Sequence, residues 1–361
     1  MNSEAGLLFS QASMHTELVR PLPPTIAIDQ PITALAPMQD VTNLPFMSVI
    51  SHFGSPDYFF TEYFRVHVQS RLERPILESI TENKTGRPVF AQMIGENIHH
   101  LKRTTLQLLE YPVAGIDLNM GCPAPTVYKK RCGGGLLREP EKIDRILGEL
   151  RNIIPGVLSV KMRIGFEDQE NFETILQLIN KWEIDLLSIH GRTVKEMYRS
   201  TVHYDAIKLA VETVNCPVLA NGDVTSARRA REILDFTGAA GVMIGRHAIR
   251  NPWIFQQIRE YESKGSSEPV PLYRVYDYVR ALFDHLKKPW IQERAQVNKM
   301  KKFLNFIGQG VDSEGQFIYN ARRAQSEDEL FSICRQFMLD QESGYFADEP
   351  YSEVVARPNC E

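Results

Sequence analysis

The chain has 361 residues, is 43% hydrophobic and 24% charged, and carries a formal net charge of −4. That composition excludes wholesale disorder, and the net negative charge means any nucleic-acid contact must be local. No apolar run approaches the roughly 20 residues of a membrane span, and no basic-then-apolar leader opens the chain.

Five cysteines (Cys122, Cys132, Cys216, Cys334, Cys360) lack CxxC spacing. They point to reduced thiols in a cytoplasmic protein, not to a disulfide framework or a metal site. Residues 1–24 are polar and end in Pro21-Leu22-Pro23-Pro24, so residues 1–29 read as a flexible extension. Eight short apolar runs follow, at 32–38, 58–63, 88–95, 115–121, 158–165, 186–192, 217–223 and 241–245. The spacers 97–110, 139–152, 169–182, 204–214, 225–235 and 252–262 show helical periodicity. Near-continuous apolar strands alternating with helices predict a parallel sheet covered on both faces. Count and length favour a (β/α)8 TIM barrel over residues 30–265, with a doubly wound open sheet as the alternative. Polar residues gather at the C-terminal ends of the runs: Glu62, Gln92, Asn119, Lys161, Arg163, His190, Asn221 and Arg246. Barrel enzymes build their sites from those ends.

After Gly265 the strand pattern stops. Helices are expected over 272–287, 290–307 and 326–339, giving a small all-helical domain at 268–340 and a loose acidic tail at 341–361. Arg274 to Lys302 carries eight cationic and three acidic residues. Arg294, Lys299, Lys301 and Lys302 lie on or beside the face opposite an apolar stripe. That is either a solvated face or an RNA contact.

Two strand ends suit a phosphate: Asn221-Gly222-Asp223 and Gly245-Arg246. The loops after barrel strands seven and eight commonly cradle one with backbone N–H groups. Lys161 and Arg163 are two apart and face one side, where a lysine in a barrel mouth calls for an anion. Gln92 offers both donor and acceptor to a ring's amide-like edge. His190 ends strand six. Cys122 follows strand four directly and leads into a loop with Lys129, Lys130, Arg131 and three consecutive glycines. Its thiol reads as a general acid, a nucleophile or an inert cysteine, with Cys132 as a rival in the same loop.

These residues resemble the tRNA-dihydrouridine synthase family. The resemblance covers about residues 30–310. It is carried by APM (36–38), TEYFRV (61–66), AQMIG (91–95), DLNMGCPAPTV (117–127), GGGLL (133–137), VKMRIG (160–165), HGRT (190–193), NGDV (221–224) and MIGR (243–246). It implies an FMN-binding barrel followed by a helical tRNA-binding domain. Cys122 matches the family's proton donor. Pro37, Met38, Gln92, Lys161, His190, Asn221, Gly222, Asp223, Gly245 and Arg246 match FMN-contacting positions. NADPH, or NADH, is the implied electron donor, and the product is 5,6-dihydrouridine in tRNA.

TEYFRV is similar to the bacterial C-type branch, which acts on a D-loop uridine. YKKRC before the glycines departs from relatives and leaves the loop's shape open. Lys129, Lys130 and Arg131 are expected to touch the tRNA backbone as that loop closes over the extruded base. Nothing in the sequence marks an obligate protein partner, so a monomer is the default. The alternatives are a flavin barrel acting on a free pyrimidine, as dihydroorotate dehydrogenases do, an aldolase-like barrel with Lys161 as a Schiff-base lysine, and a non-catalytic RNA-binding protein.

Overall fold

The computed structural model describes residues 20–340 and 344–356. Each expected run contains a strand: β1 (Ile32–Leu35), β2 (Tyr58–Phe60), β3 (Val89–Ile94), β4 (Gly115–Met120), β5 (Leu158–Arg163), β6 (Leu186–His190), β7 (Val218–Asn221) and β8 (Gly241–Ile244). Every neighbouring pair is parallel, and β1 pairs with both β2 and β8, so the sheet closes. The fold is a (β/α)8 barrel, and the open-sheet alternative falls. A two-residue strand, Phe64–Arg65, extends the β3 edge.

The six expected spacer helices form, from Ile98–Leu108 to Ile254–Lys264. Two more follow β1 and β2, at Leu44–Gly54 and Arg74–Thr81. The first had a readable start. Asn43 caps it by accepting from the Phe46 N–H, a proline sits in its first turn, and Phe46, Val49, Ile50 and Phe53 supply a buried face.

Strand alternation sorts the core into two layers. Leu35, Phe59, Ala91, Ile116, Leu118, Val160 and Ile189 point outward to the helices. Ala34, Tyr58, Phe60, Phe90, Leu186, Leu219 and Met243 fill the lower barrel interior, where Phe60 stacks on Phe90 at 4.8 Å. Strand β4 buries Ile116 and Leu118 against the helices. Its inward residues, however, are Asp117 and Asn119.

Residues 20–26 cross the lower end of the barrel. Arg20 pairs with Glu183 and Asp185, the Tyr58 hydroxyl donates to Pro23 O, and the Ile26 N–H donates to Asp57. A flexible extension is therefore the wrong description of these residues. Residues 1–19 lie outside the described residues.

The C-terminal region consists of helices Leu272–Leu286, Glu293–Ile307, Gln316–Ala321 and Glu327–Met338. The second begins at Glu293, not at Trp290. Pro289 cannot donate a backbone N–H, and the turn is held by Ile291 N–H and Gln296 Nε2 donating to Lys288 O. Phe53, Trp253 and Tyr278 form an edge-on aromatic triangle that fastens the first of these helices to the barrel. Phe46 meets Phe303 at 5.8 Å and does the same for the second. Gly54 is required at this seam, because a Cβ there would lie 2.5 Å from Pro252 O.

The tail is not loose where it is described. Phe346 and Val354 are buried, and Arg250 donates to Ala347 O and Asp348 O. Among the described residues, no helix is long and apolar enough to cross a membrane.

Candidate active site

The upper barrel mouth opens into a cleft of about 1050 Å³. Its lining joins strand ends to the Glu293–Ile307 helix, which contributes Asn298, Lys299, Lys302, Phe303 and Phe306. Of the residues expected here, Pro37, Met38, Cys122, Lys161, His190, Asn221, Gly222, Asp223, Gly245 and Arg246 all line it.

Gln92 does not. It is fully buried beneath the floor, and both ends of its amide are taken. Nε2 donates to Asp117 at 2.7 Å, and Oε1 accepts from Asn119 Nδ2 at 2.9 Å. Its part in this structure is to hold Asn119. Asn119 Oδ1 in turn accepts the N–H groups of Gly121 and Cys122 at 3.0 and 2.9 Å. A buried polar chain thus runs from Asp117 to the backbone of the cysteine.

The Cys122 thiol sits partly buried at the rim, packed in the cluster that contains Tyr63. Burial pushes it above the usual thiol range, against the backbone N–H of Ala124, the Tyr63 hydroxyl and the charges of Arg163 and Lys161. The thiol is therefore protonated at neutral pH, as an acid must be and a nucleophile must not. Burial also lifts Tyr63 to about 12, keeping its hydroxyl intact as a donor. The rival Cys132 does not line the cleft; its thiol points to Lys130 O.

The loop after Cys122 is folded, not open. Pro125–Tyr128 is a helical turn, and Gly133–Arg138 a 3-10 helix. The three glycines are buried for close packing. A Cβ on Gly134 would meet Val194 at 2.3 Å, and one on Gly135 would meet Tyr128 O at 2.6 Å. Lys129, Lys130 and Arg131 stay exposed, Arg131 within 3.7 Å of Glu139.

The floor is cationic. Burial brings Lys161 down to about 8, with Arg163 adding to the shift, and Nζ donates to Asn221 Oδ1 at 3.3 Å. His190 is held well below its usual value by burial and by Arg163, Lys161, Arg192 and Arg246, so its ring is neutral. Gly222 has φ 125°, which favours glycine, and Arg246 stacks over Tyr198 at 4.2 Å. The Asp223 carboxylate is already engaged. Arg192 grips both its oxygens at 3.2 and 2.5 Å, so its side chain is not an anion ligand.

Sequence reasoning missed Tyr63, Asp117, the Arg192–Asp223 pair and the role of Arg163. The last donates to Gly121 O, Thr193 O and Met197 O at 3.0, 2.8 and 2.8 Å. Glu62 was noted only as a strand-end residue. It is buried at the rim and lifted to about 7, mainly by burial, while the Asp40 backbone N–H opposes the shift. Of the four helix cations, Lys299 and Lys302 face the cleft, while Arg294 and Lys301 do not.

A barrel mouth with one protonated thiol above a cationic floor defines an enzyme site rather than a structural barrel. Residues 34–339 match the family model described as Dihydrouridine synthase (Dus), and the chain belongs to that family. It is similar to the tRNA-dihydrouridine(16) synthase of Neisseria meningitidis serogroup B, at 30% identity over 84% of this chain and 93% of the relative. It is 35% identical to the tRNA-dihydrouridine synthase B of Vibrio cholerae, over 67% of this chain and 76% of that one. A probable tRNA-dihydrouridine synthase of Staphylococcus aureus matches at 30% over 86% and 94%.

Proposed function

We propose that this protein reduces a D-loop uridine of tRNA to 5,6-dihydrouridine, using FMN and NADPH, with Cys122 as the proton donor. The observation that carries this reading is the Cys122 thiol, kept protonated at the rim of a cleft whose floor is cationic.

The floor fits FMN by its chemistry. Gly222, Gly245 and Arg246 suit a phosphate, while Lys161, His190 and Asn221 suit a ring edge that gathers negative charge. When bound, FMN supplies the hydride for carbon 6 of the uracil ring. Lys161, cationic below about pH 8, holds the negative charge of the floor's ligand. His190, neutral, adds a hydrogen bond without adding charge.

Cys122 holds its proton at Sγ and gives it to carbon 5. The thiolate left behind accepts from the Tyr63 hydroxyl and lies near Arg163 and Lys161. The Asn119 side chain fixes the backbone that aims the thiol. Reaching a base inside a folded tRNA requires its extrusion from the stack into the cleft.

In this reading the catalytic unit spans 30–265 and 268–340 is the tRNA-binding unit, with Lys299, Lys302, Lys129 and Lys130 facing the phosphates. The protein acts as a monomer in the cytoplasm. Likeness to the Neisseria relative and the TEYFRV segment make position 16 the first to examine.

The test is direct. Purified protein should be yellow and, with NADPH, should place dihydrouridine in unmodified tRNA. A colourless protein that does not take up FMN, or one active on free uridine but not on tRNA, would overturn the reading.

A further inference from the structure

Trp290 is the most exposed aromatic residue described, at 78%. It stands on the turn before the Glu293–Ile307 helix, the element that closes one wall of the cleft. The turn is pinned: Lys288 O accepts from Ile291 N–H and Gln296 Nε2, and Lys287 pairs with Glu327 at 2.7 Å. The ring is thus presented on a fixed support. Lys288 Nζ lies 5.8 Å from its centroid. Lys288 also acts electrostatically on Lys299, which with Lys302 lines the cleft. From the helix start to Lys299 is about 9 Å at 1.5 Å per residue. A line of positive charge therefore leads from the cleft to an exposed aromatic face.

We propose that Trp290, flanked by Lys288, is a stacking platform for a nucleotide adjoining the one drawn into the cleft. This rests on the proposed action on tRNA. Extruding a base leaves its neighbours without a stacking partner, and an aromatic face replaces that partner whatever the base. Lys288 and Lys299 would meet the phosphates on either side of it. Other exposed aromatics do not fit. Tyr319 is covered by Arg323 at 3.4 Å, and none of Tyr273, Tyr345 and Phe236 lines the cleft or belongs to its closing helix.

The full-length protein allows a clean test. Of three tryptophans, Trp253 is buried and Trp182 half-buried and bonded to Asp144, so exposed-tryptophan fluorescence reports Trp290. Unmodified tRNA should quench it in the wild type and not in Trp290→Ala. Trp290→Ala should raise KM for tRNA about tenfold. Trp290→Phe should recover most of that, and NADPH oxidation without tRNA should be unchanged. Wild-type quenching and KM retained in Trp290→Ala would overturn the platform and leave the face to a protein partner. If the wild type forms no dihydrouridine in tRNA, the underlying function fails instead, and the two failures are distinguishable.

Discussion

The two ends of the barrel are made from the same strands and do opposite things. Along β3, inward Phe90 is followed two residues later by inward Gln92; along β5, Ser159 is followed by Lys161. The lower end is a dry aromatic and aliphatic plug sealed by residues 20–26. The upper end buries a carboxyl, an ammonium, a guanidinium and an imidazole. One end stores stability and the other gives some of it up, since buried charge is costly unless a ligand answers it.

Paired substitutions break that comparison most sharply. Cys122→Ala should lower kcat on tRNA about 10²- to 10⁴-fold with little change in denaturation midpoint. Phe90→Ala should cost about 3–5 kcal/mol of stability in urea denaturation, with kcat per folded molecule nearly intact. If Phe90→Ala cut turnover as deeply as Cys122→Ala, the division between the ends would not hold.

The next effect is a pH dependence at the floor. Lys161 loses its charge as pH rises past about 8, whereas Cys122 keeps its proton beyond the ordinary thiol value. FMN affinity should therefore weaken above pH 8 while the proton-donating step persists. In Lys161→Met the affinity should be lower, by about tenfold at pH 7, and flat with pH. Titrating FMN into apoprotein at several pH values reads this directly.

Glu62 gives a smaller signal. Its folded value of about 7 exceeds the usual 4.5, so its contribution to stability is full below 4.5 and is lost as pH rises through 7. Glu62→Gln should raise stability by about 1–3 kcal/mol at pH 8 and by almost nothing at pH 4. An equal gain at both pH values would show that the carboxyl is not the strained group. Smallest of all, Lys302→Ala should raise KM for tRNA a few-fold, and Lys301→Ala, facing away from the cleft, should leave it unchanged.

The eight strands were legible because both their faces are covered, which writes them as apolar runs. The helix at Leu44–Gly54 was equally legible from its Asn43 cap and was passed over. Inward parity would have exposed Asp117, which shares a face with Asn119. The Tyr63–Cys122 contact was not legible, since it joins the ends of different strands and only barrel closure brings them together. Gln92 lies one layer below the cleft lining, bonded to Asp117 and Asn119, a depth that its place in the strand pattern does not reveal. The glycines at 133–135, which left the loop's shape open, mark backbone approaches too tight for a side chain. Periodicity placed Lys301 and Lys302 together, and packing against the barrel separated them.

Arg163 has a kinetic meaning beyond its place in the wall. One guanidinium holds Gly121 O in the cysteine loop and Thr193 O and Met197 O in the loop after β6. Neither loop can detach without stranding a buried cation. The two should open as one cooperative unit, so amides on both should exchange their hydrogens with a common opening rate.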